Sequence, residues 1–254
     1  MMNKFISATM MAVSLYAAHG LAVADEVISE IRTVDARAVK VVLDGIISLN
    51  LKQGNTPSLV VSGDKRYVPK ITVVQSGDTL RIGTDLRGVN FSNGNLRAEL
   101  TLPNLREFVS AGVGSAELSG FSGDDMRVSL EGAGSVNMAS RYKHMDARLT
   151  GVGSMHVNAG DAESVDLNLK GAGQIVINGQ SKNLTAKLGG IGSLDAQGLR
   201  ADSVDVDMSG LGGATVYAKT SANLRLSGMG SATVYGKPAN RSSTARGMGS
   251  VAWN

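Results

Sequence analysis

The sequence has no cysteine and contains few prolines, histidines and aromatic residues. Among its 254 residues there are 4 Pro and 3 His, and Phe, Tyr and Trp together make up 4%. Without cysteine, the chain cannot form disulfides, zinc–thiolate sites or iron–sulfur clusters, and it offers no thiol nucleophile. Because aromatic residues are scarce, we expect a core built from aliphatic side chains.

The residues that are abundant indicate a folded protein. Apolar residues make up 43% of the chain and charged residues 19%, which is too apolar for a disordered segment. There are 32 glycines, well above the usual share of about 7%. The formal net charge is only +3 and is spread along the chain, so we expect no nucleic-acid partner.

The first 24 residues have the composition of a signal peptide. Lys4 precedes a largely apolar stretch, and Ala22, Val23 and Ala24 form the small-x-small pattern that signal peptidase recognises. The apolar stretch is shorter than the ~20 residues of a membrane-spanning helix, and no later stretch reaches that length. We therefore expect cleavage after Ala24, no transmembrane segment after cleavage, and an exported protein that is periplasmic, secreted or displayed at the cell surface.

A tripeptide of the form Gly-x-Gly recurs eight times, at intervals of 18 to 20 residues. A fixed short period is the sequence signature of a solenoid, and this one predicts about 19 residues per coil. We interpret the sixteen glycines of the motif as structural corners of the coils. They are Gly112, Gly114, Gly132, Gly134, Gly151, Gly153, Gly171, Gly173, Gly190, Gly192, Gly210, Gly212, Gly228, Gly230, Gly247 and Gly249.

The residues around each motif alternate like strands and change parity at the glycines. Val128, Leu130, Ala133, Val136 and Met138 are separated by 2, 3, 3 and 2 positions. Such parity changes occur where a strand turns a corner, and glycine tolerates the backbone geometry required there. The pattern predicts an all-β, single-stranded parallel β-helix, and the usual crossover rule favours a right-handed one.

The residue between the two glycines is apolar in every copy, so we expect it to face the core. These residues are Val113, Ala133, Val152, Ala172, Ile191, Leu211, Met229 and Met248.

The segment before the first motif also contains strand patterns separated by glycines. We expect it to form about four less regular coils, giving eleven or twelve in all. The predicted strands cover residues 39–43, 46–51, 58–62, 70–74, 79–82 and 95–102. With no linker visible, residues 25–254 are predicted to form one domain, in which residues 238–254 form a C-terminal coil or cap and Trp253 covers the open end.

Several runs in this chain resemble a known family. Gly77-Asp78-Thr79-Leu80-Arg81-Ile82 and Leu102-Pro103-Asn104-Leu105, followed by Gly-x-Gly-Ser at intervals near 20, are similar to the auto-transporter adhesin head domain, also called the GIN domain. The resemblance covers about residues 33–237 and implies a β-helical head of a secreted or cell-envelope bacterial protein. It implies no catalytic or binding residues.

The glycine motifs do not match nucleotide or calcium motifs. A phosphate-binding Gly-x-Gly-x-x-Gly needs a third glycine, which no copy has. The run from Gly189 to Asp195 approaches a calcium β-roll, but its Asp is one residue late and the period is wrong. We therefore predict no cofactor and no metal site.

No catalytic arrangement is evident either. A serine follows the second glycine in six copies, and we expect these serines to stack in a hydrogen-bonded ladder, since His144 and His156 lie in no hydrolase motif. We expect His156 to lie on the surface between Asn137 and Val176. The serines are Ser115, Ser135, Ser154, Ser193, Ser231 and Ser250.

When the coils are aligned by their motifs, charged residues fall into rows on the outer face. The alignment predicts that opposite charges meet across neighbouring coils, Arg127 with Asp146, and Asp207 with Lys187 and Arg225. We expect a solvated surface here. The alternative is a polar binding face that includes Asp166, Asp205 and Asp207.

We interpret the chain as a noncatalytic exported protein, adhesin-like or envelope-associated, with a glycan, an envelope protein or another copy of itself as partner. The alternative is a β-helix polysaccharide lyase or glycoside hydrolase, although the near-constant coil length leaves little room for a catalytic cleft. A structural spacer without a ligand is a third possibility that the sequence does not separate from the first.

Overall fold

A computed structural model describes residues 26–86 and 95–254. The predicted signal peptide, including Ala24, lies outside the described residues. About 76% of the described residues are in strands, and one short 3-10 helix covers Val68–Lys70. Within those same ranges, no helix has the length and apolarity needed to cross a membrane.

The strands fall into an irregular N-terminal group and a regular repeat. They are β1 Val27–Arg32, β2 Lys40–Asp44, β3 Ser48–Gln53, β4 Ser58–Asp64, β5 Ile71–Ser76, β6 Thr79–Thr84, β7 Arg97–Leu102, β8 Glu107–Ser110, β9 Val113–Leu130, β10 Ala133–Leu149, β11 Val152–Leu169, β12 Ala172–Leu188, β13 Ile191–Met208, β14 Leu211–Leu226, β15 Met229–Tyr235, β16 Asn240–Ala245 and β17 Ser250–Trp253.

The repeat is a parallel β-solenoid of about 7 turns with about 20 residues per turn. Each strand from β9 to β14 forms most of one coil and pairs in parallel with its neighbours, so that Gly134 lies beside Gly114 and Gly153. The predicted fold class is therefore confirmed. The right-handed winding stays a prediction.

The coils differ in length by one or two residues, and the extra residues lie away from the Gly-x-Gly motif. The strand register shifts between Ala139 and Arg141 in one pair of coils and between Asn158 and Asp161 in the next. Gly160, in the second of these segments, has a φ of +63°, a conformation that glycine adopts at little cost. The extra residue of a longer coil therefore leaves the motif in register.

The N-terminal segment does not form the four coils that the sequence predicted. β2 and β3 make one parallel coil against β8 and β9, with Ile46 beside Val113. Beyond it, β4 runs antiparallel to β1 and β7, and β5 runs antiparallel to β6. All six predicted strands are present near their expected bounds, but β4 and β5 run antiparallel to the strands they pair with, so eleven or twelve coils was an overestimate.

A single aliphatic cluster fills the interior along both parts of the chain. Of its four buried aromatic side chains among the described residues, Phe108, Phe121 and Tyr142 lie near the junction of the two parts and are 0 to 2% exposed, and Tyr67 lies in the N-terminal part. Tyr142 Oη donates a hydrogen bond to the carbonyl oxygen of Leu105 at 2.5 Å. Burial raises the pKa of Tyr142 to about 12.

The residues between the paired glycines face solvent, which contradicts the prediction that they face the core. Val113 is 51% exposed, Val152 60% and Ile191 62%. The reason is steric. A Cβ on Gly134 would overlap the carbonyl oxygen of Gly114 in the preceding coil, so the glycines take the crowded side of the chain, and the residue between them points the opposite way.

We call the resulting line of outward apolar side chains the corner row. It consists of Ile46, Val113, Ala133, Val152, Ala172, Ile191, Leu211, Met229 and Met248.

The last coil differs from the others at its inward positions. In register with Ala222 and Leu224 of β14, strand β16 carries Arg241 and Ser243. The Arg241 guanidinium lies 5.5 Å from the centroid of the Trp253 ring, and Trp253 packs against the core while partly exposed. Polar side chains at inward positions of an edge strand discourage another strand from adding to it.

Candidate functional site

Two rows of outward polar side chains run along the solenoid and border a groove, which we call the polar groove. Adjacent members of each row lie beside one another in the parallel register. The first row consists of Asp125, His144, Ser164, Asn183, Ser203, Ser221 and Asn240. The second row consists of Arg127, Asp146, Asp166, Thr185, Asp205, Asn223 and Ser242.

The floor of the polar groove is the strand backbone itself. The residue between the two rows points inward in each repeat coil and is between 0% and 4% exposed from Met126 to Ala222. Its side chain therefore belongs to the core, and only the outward rows can contact a ligand in the groove. Because adjacent coils are about 4.8 Å apart, one residue of each row recurs along the groove at that interval.

The C-terminal half of the groove contains a cavity of about 570 Å³ lined mainly by hydroxyl and amide side chains. Ser221 Oγ donates to Ser203 Oγ at 2.9 Å. Asn223 Nδ2 donates to Asp205 Oδ2 at 2.7 Å. Arg225 contacts the other oxygen of Asp205 at 3.4 Å. The single acidic group on this part of the lining is therefore already partnered.

The N-terminal half of the groove is charged and contains a cavity of about 360 Å³. Asp146 accepts from Arg127 at 3.2 Å and from Arg148 at 2.6 Å. The hydrogen bond to Asp146 raises the pKa of Arg148 above its ordinary value. The two halves of one groove therefore differ in chemistry.

The predicted ion pairs on this surface are found only in part. The pair of Arg127 and Asp146 is present. Among the ion pairs of the described residues, none joins Lys187 to Asp207, and Arg225 contacts Asp205 in the second row instead. Exposed pairs contribute about 0.2 to 1 kcal/mol each, so they order the surface more than they stabilise the fold.

The predicted polar binding face is only partly brought together. Asp166 and Asp205 both lie in the second row, whereas Asp207 lies two residues further along its strand and outside the two rows. Sequence alignment of the coils found the second row but not the first. It did not reveal that the surface between them is concave, because concavity depends on how the strands bend.

The two histidines of the described chain lie on different faces. His156 is exposed between Asn137 and Val176, as predicted. His144 lies in the groove, and its Nδ1 is 3.0 Å from Ser164 Oγ. The sequence did not predict this contact, although the two residues share a row position. No carboxylate in the described residues is within salt-bridge distance of His144 to orient it as a catalytic triad requires.

The predicted serine ladder is found only in part: Ser135 lies in register between Ser115 and Ser154, whereas Ser193 lies between Gln174 and Gly213. At the N-terminal end of this line, Ser115 Oγ donates to Ser48 Oγ at 3.1 Å. In the described ranges, no three His, Asp or Glu side chains group so as to hold a metal ion.

The corner row is the second surface that could take a ligand. Its C-terminal part borders a cavity of about 580 Å³ whose walls are mostly glycine backbone and apolar side chains, including Ile191, Leu211 and Met229. This surface is apolar, whereas the polar groove is hydrophilic.

Comparison with known proteins places this architecture in one family. The family model described as "Putative auto-transporter adhesin, head GIN domain" matches residues 39–238. A search among curated proteins found no match.

Several crystal structures share the fold. A putative adhesin from Parabacteroides distasonis superimposes with a TM-score of 0.80 at 20% identity, covering 90% of this chain and 97% of that one. A putative adhesin from Parabacteroides merdae gives 0.78 at 17% identity, covering 90% and 96%. A putative lipid binding protein from Parabacteroides distasonis gives 0.79 at 18% identity, covering 90% and 96%.

The family match spans most of the chain, and the solenoid of glycine-cornered coils has the fold of the crystal structures named putative adhesins. The sequence resemblance to the GIN domain is therefore confirmed. This chain belongs to the family of auto-transporter adhesin head GIN domains.

Proposed function

We propose that this protein is an exported, noncatalytic binding module of the adhesin type, and that the polar groove is its binding surface. The observation that carries the proposal is the groove itself. It crosses successive coils in one line, it is bordered by two rows of outward polar side chains, and its cavities measure about 570 and 360 Å³.

The proposed export rests on the N-terminal sequence and on the family. Lys4, the apolar stretch after it and Ala22-Val23-Ala24 form a signal-peptide pattern, and the adhesin family supports an envelope or extracellular location. Fractionation of bacteria that express the full chain tests this step. We expect a periplasmic, surface or secreted product whose N-terminus is Asp25. A cytoplasmic, uncleaved product would contradict export.

The noncatalytic part of the proposal rests on the surroundings of the groove. The nearest arrangement to a nucleophile and base is Ser164 with His144, and both lie on an open surface without an orienting acid. Polysaccharide cleavage also needs paired acid and base groups around the scissile bond. Of the carboxylates that line the charged cavity, Asp146 is held by Arg127 and Arg148, and Glu107 by Lys40. Release of reducing ends from pectate, alginate or peptidoglycan by the purified protein would overturn this part.

Binding is tested with the purified protein on an array of glycans and envelope proteins. The proposal expects a reproducible ligand whose binding falls when groove residues are replaced, with Ser193→Leu outside the groove as a control. If no ligand binds reproducibly, the adhesin-type function is contradicted.

A second candidate function, lipid binding, is favoured by the corner row. Ile191 and Met229 are 62% and 52% exposed on a line of apolar side chains, and one structure of the same fold is named a putative lipid binding protein. Cosedimentation with phosphatidylethanolamine–phosphatidylglycerol vesicles tests it. The candidate expects binding that the double variant Ile191→Ser, Met229→Ser abolishes, and unchanged binding would exclude it.

A further inference from the structure

We infer that the C-terminal half of the polar groove binds an extended, uncharged glycan whose successive sugar units lie along the solenoid, about one per coil. This inference rests on the proposed binding function and adds the chemical class of the ligand and its orientation. It concerns four adjacent coils, which contribute Asn183, Ser203, Ser221 and Asn240 to the first row of the groove.

The lining of this half matches hydroxyl-rich ligands. Across from those four residues, the second row supplies Thr185, Asp205, Asn223 and Ser242. Hydroxyl and amide groups donate and accept hydrogen bonds without carrying charge, which is what a sugar hydroxyl requires of its partners. A ligand with few donors and acceptors of its own would form few hydrogen bonds with this lining.

The charged groups of this half are already engaged. Asp205 is held by Asn223 and Arg225. Arg241 Nε donates to the carbonyl oxygen of Pro238 at 2.9 Å, and its guanidinium lies over the Trp253 ring. Arg241 is the one cation among the residues that line this cavity, and it lies at the C-terminal end, so no cation faces a uronic acid on any of the other three coils. An uncharged glycan is favoured over an acidic one.

An extended peptide fits this groove less well than a glycan. Three of the four strands that form it, β12 to β14, are paired on both sides for most of their length, so their backbone groups are not available for an added strand, and β16 is paired with β14 at the C-terminal end of the groove. A peptide laid along the solenoid would advance about 3.3 Å per residue against a coil spacing of about 4.8 Å, and would lose register. A sugar unit in an extended glycan spans a length close to one coil.

The number of coils sets the length of glycan that can contribute. Four coils contribute to the lining, so each added sugar unit gains a new pair of side chains until about four units are bound. Affinity should therefore rise with oligomer length and then level off. A ligand held at one point would show no such dependence.

The test is calorimetric titration of the full chain with uncharged oligosaccharides of two to six units, made of glucose, mannose, xylose or N-acetylglucosamine, and with oligogalacturonate as the acidic comparison. We expect at least one uncharged series to bind, with affinity rising up to about four units, and weaker or no binding of oligogalacturonate.

Groove variants locate the binding. Ser221→Leu, which fills the groove, and Asn223→Ala, which removes an amide, should each weaken binding by about tenfold or more. Ser193→Leu makes the same serine-to-leucine change outside the groove and should leave binding unchanged. Thermal unfolding of each variant shows that it is folded, and Asn223→Ala, which adds no bulk, keeps the test valid if Ser221→Leu does not fold.

Three outcomes would overturn the inference: no uncharged series binds, folded groove variants bind as well as the parent chain, or oligogalacturonate binds most tightly. If the protein still binds an envelope protein on the array, the binding function stands and only the glycan assignment fails. If it binds nothing on the array either, both fail.

Discussion

The repeat and the N-terminal part of this protein differ in how their strands pair. The repeat is parallel throughout, whereas the N-terminal part combines parallel and antiparallel pairs. From β9 to β14 each coil pairs in parallel with the next, in register at every motif. In the N-terminal part, β1 and β5 lie at the outer edges and run antiparallel to their neighbours. A parallel stack of equivalent coils has nothing in its own geometry that ends it, so its ends need different strand pairing or different residues.

The two ends solve this problem differently. At the N-terminal end β4 lies antiparallel between β1 and β7, and β5 forms an antiparallel hairpin with β6. At the C-terminal end the strand direction is unchanged, but Arg241 and Ser243 replace the apolar inward residues of the preceding coil. Both devices prevent another strand from extending the sheet.

The largest effect that separates the two parts should come from their glycines. In the repeat, a Cβ on Gly210 would overlap the carbonyl oxygen of Gly190, so we expect Gly210→Val to prevent folding or to lower the free energy of unfolding by more than about 4 kcal/mol. In the N-terminal part, Gly77 has a φ of +60° but open space around it, so Gly77→Ala should cost about 1 to 2 kcal/mol.

Urea unfolding of both variants measures this difference. Asp205→Ala on the outer face, whose partners remain solvated, is the control and should cost about 1 kcal/mol or less. Equal losses for Gly210→Val and Asp205→Ala would contradict the steric role of the corner glycines.

A smaller effect is expected at the C-terminal end. Trp253→Ala removes a partly buried ring from the core edge and from Arg241, and should cost about 1 to 2 kcal/mol. Hydrogen exchange should show faster opening of β16 and β17, while the N-terminal strands keep their protection. Trp253→Phe, which retains most of the apolar surface, is the matched control. Uniformly faster exchange along the whole chain would contradict a local capping role.

At the junction between the two parts, we expect a comparable or smaller loss in the free energy of unfolding. Tyr142 belongs to β10 and its hydroxyl donates to Leu105 before β8. Tyr142→Phe leaves that buried carbonyl without its donor, and should lower the free energy of unfolding by about 1 kcal/mol. Tyr235→Phe, in a partly exposed position of the repeat, should change it much less. Equal changes in the free energy of unfolding, measured with urea, would mean that the hydrogen bond from Tyr142 to Leu105 does not stabilise the fold.

The smallest effect depends on pH and belongs to the N-terminal part. Hydrogen bonds from the Arg66 side chain and backbone lower the pKa of Asp64 to about 2, from its ordinary value of 3.8. Between these values the unfolded chain binds the proton first, so the contribution of Asp64 to stability is complete above about pH 4 and is lost as the pH falls towards 2.

Asp64→Asn should therefore flatten the dependence of Tm on pH between 4 and 2. Asp124→Asn is the comparison in the repeat. The hydrogen bond from Lys143 also lowers the pKa of Asp124. Because the side chains of Asp124 and Lys143 are 73% and 60% exposed, the flattening should be weaker. An unchanged pH profile for Asp64→Asn would contradict the assigned pair.

The sequence predicted the repeat well because its signal is local and periodic. The motif interval, the strands on either side of it and the neighbours of His156 all follow from aligning one coil on the next. The N-terminal topology did not follow in this way. The patterns of β4 and β5 identify strands, but their alternation carries no information about which strand pairs with which, or in which direction.

The orientation of Val113 and its equivalents was predicted wrongly for a different reason. An apolar residue was assumed to be inside, whereas the decisive constraint is the close approach of glycine backbones in adjacent coils. The second row of the polar groove was predicted from the alignment, whereas the first row was not. The cavity of the groove could not be predicted, because the bend of the strands is set by packing inside the core.

The register shifts opposite the motif suggest how this architecture can change over evolutionary time. Insertions and deletions of one residue between positions 139 and 141, or between 158 and 161, are taken up within a single coil. The polar groove and the corner row lie on other parts of the coil, so their side chains stay aligned. Short loops could therefore be grafted at these positions to add a new specificity while the existing surfaces are inherited unchanged.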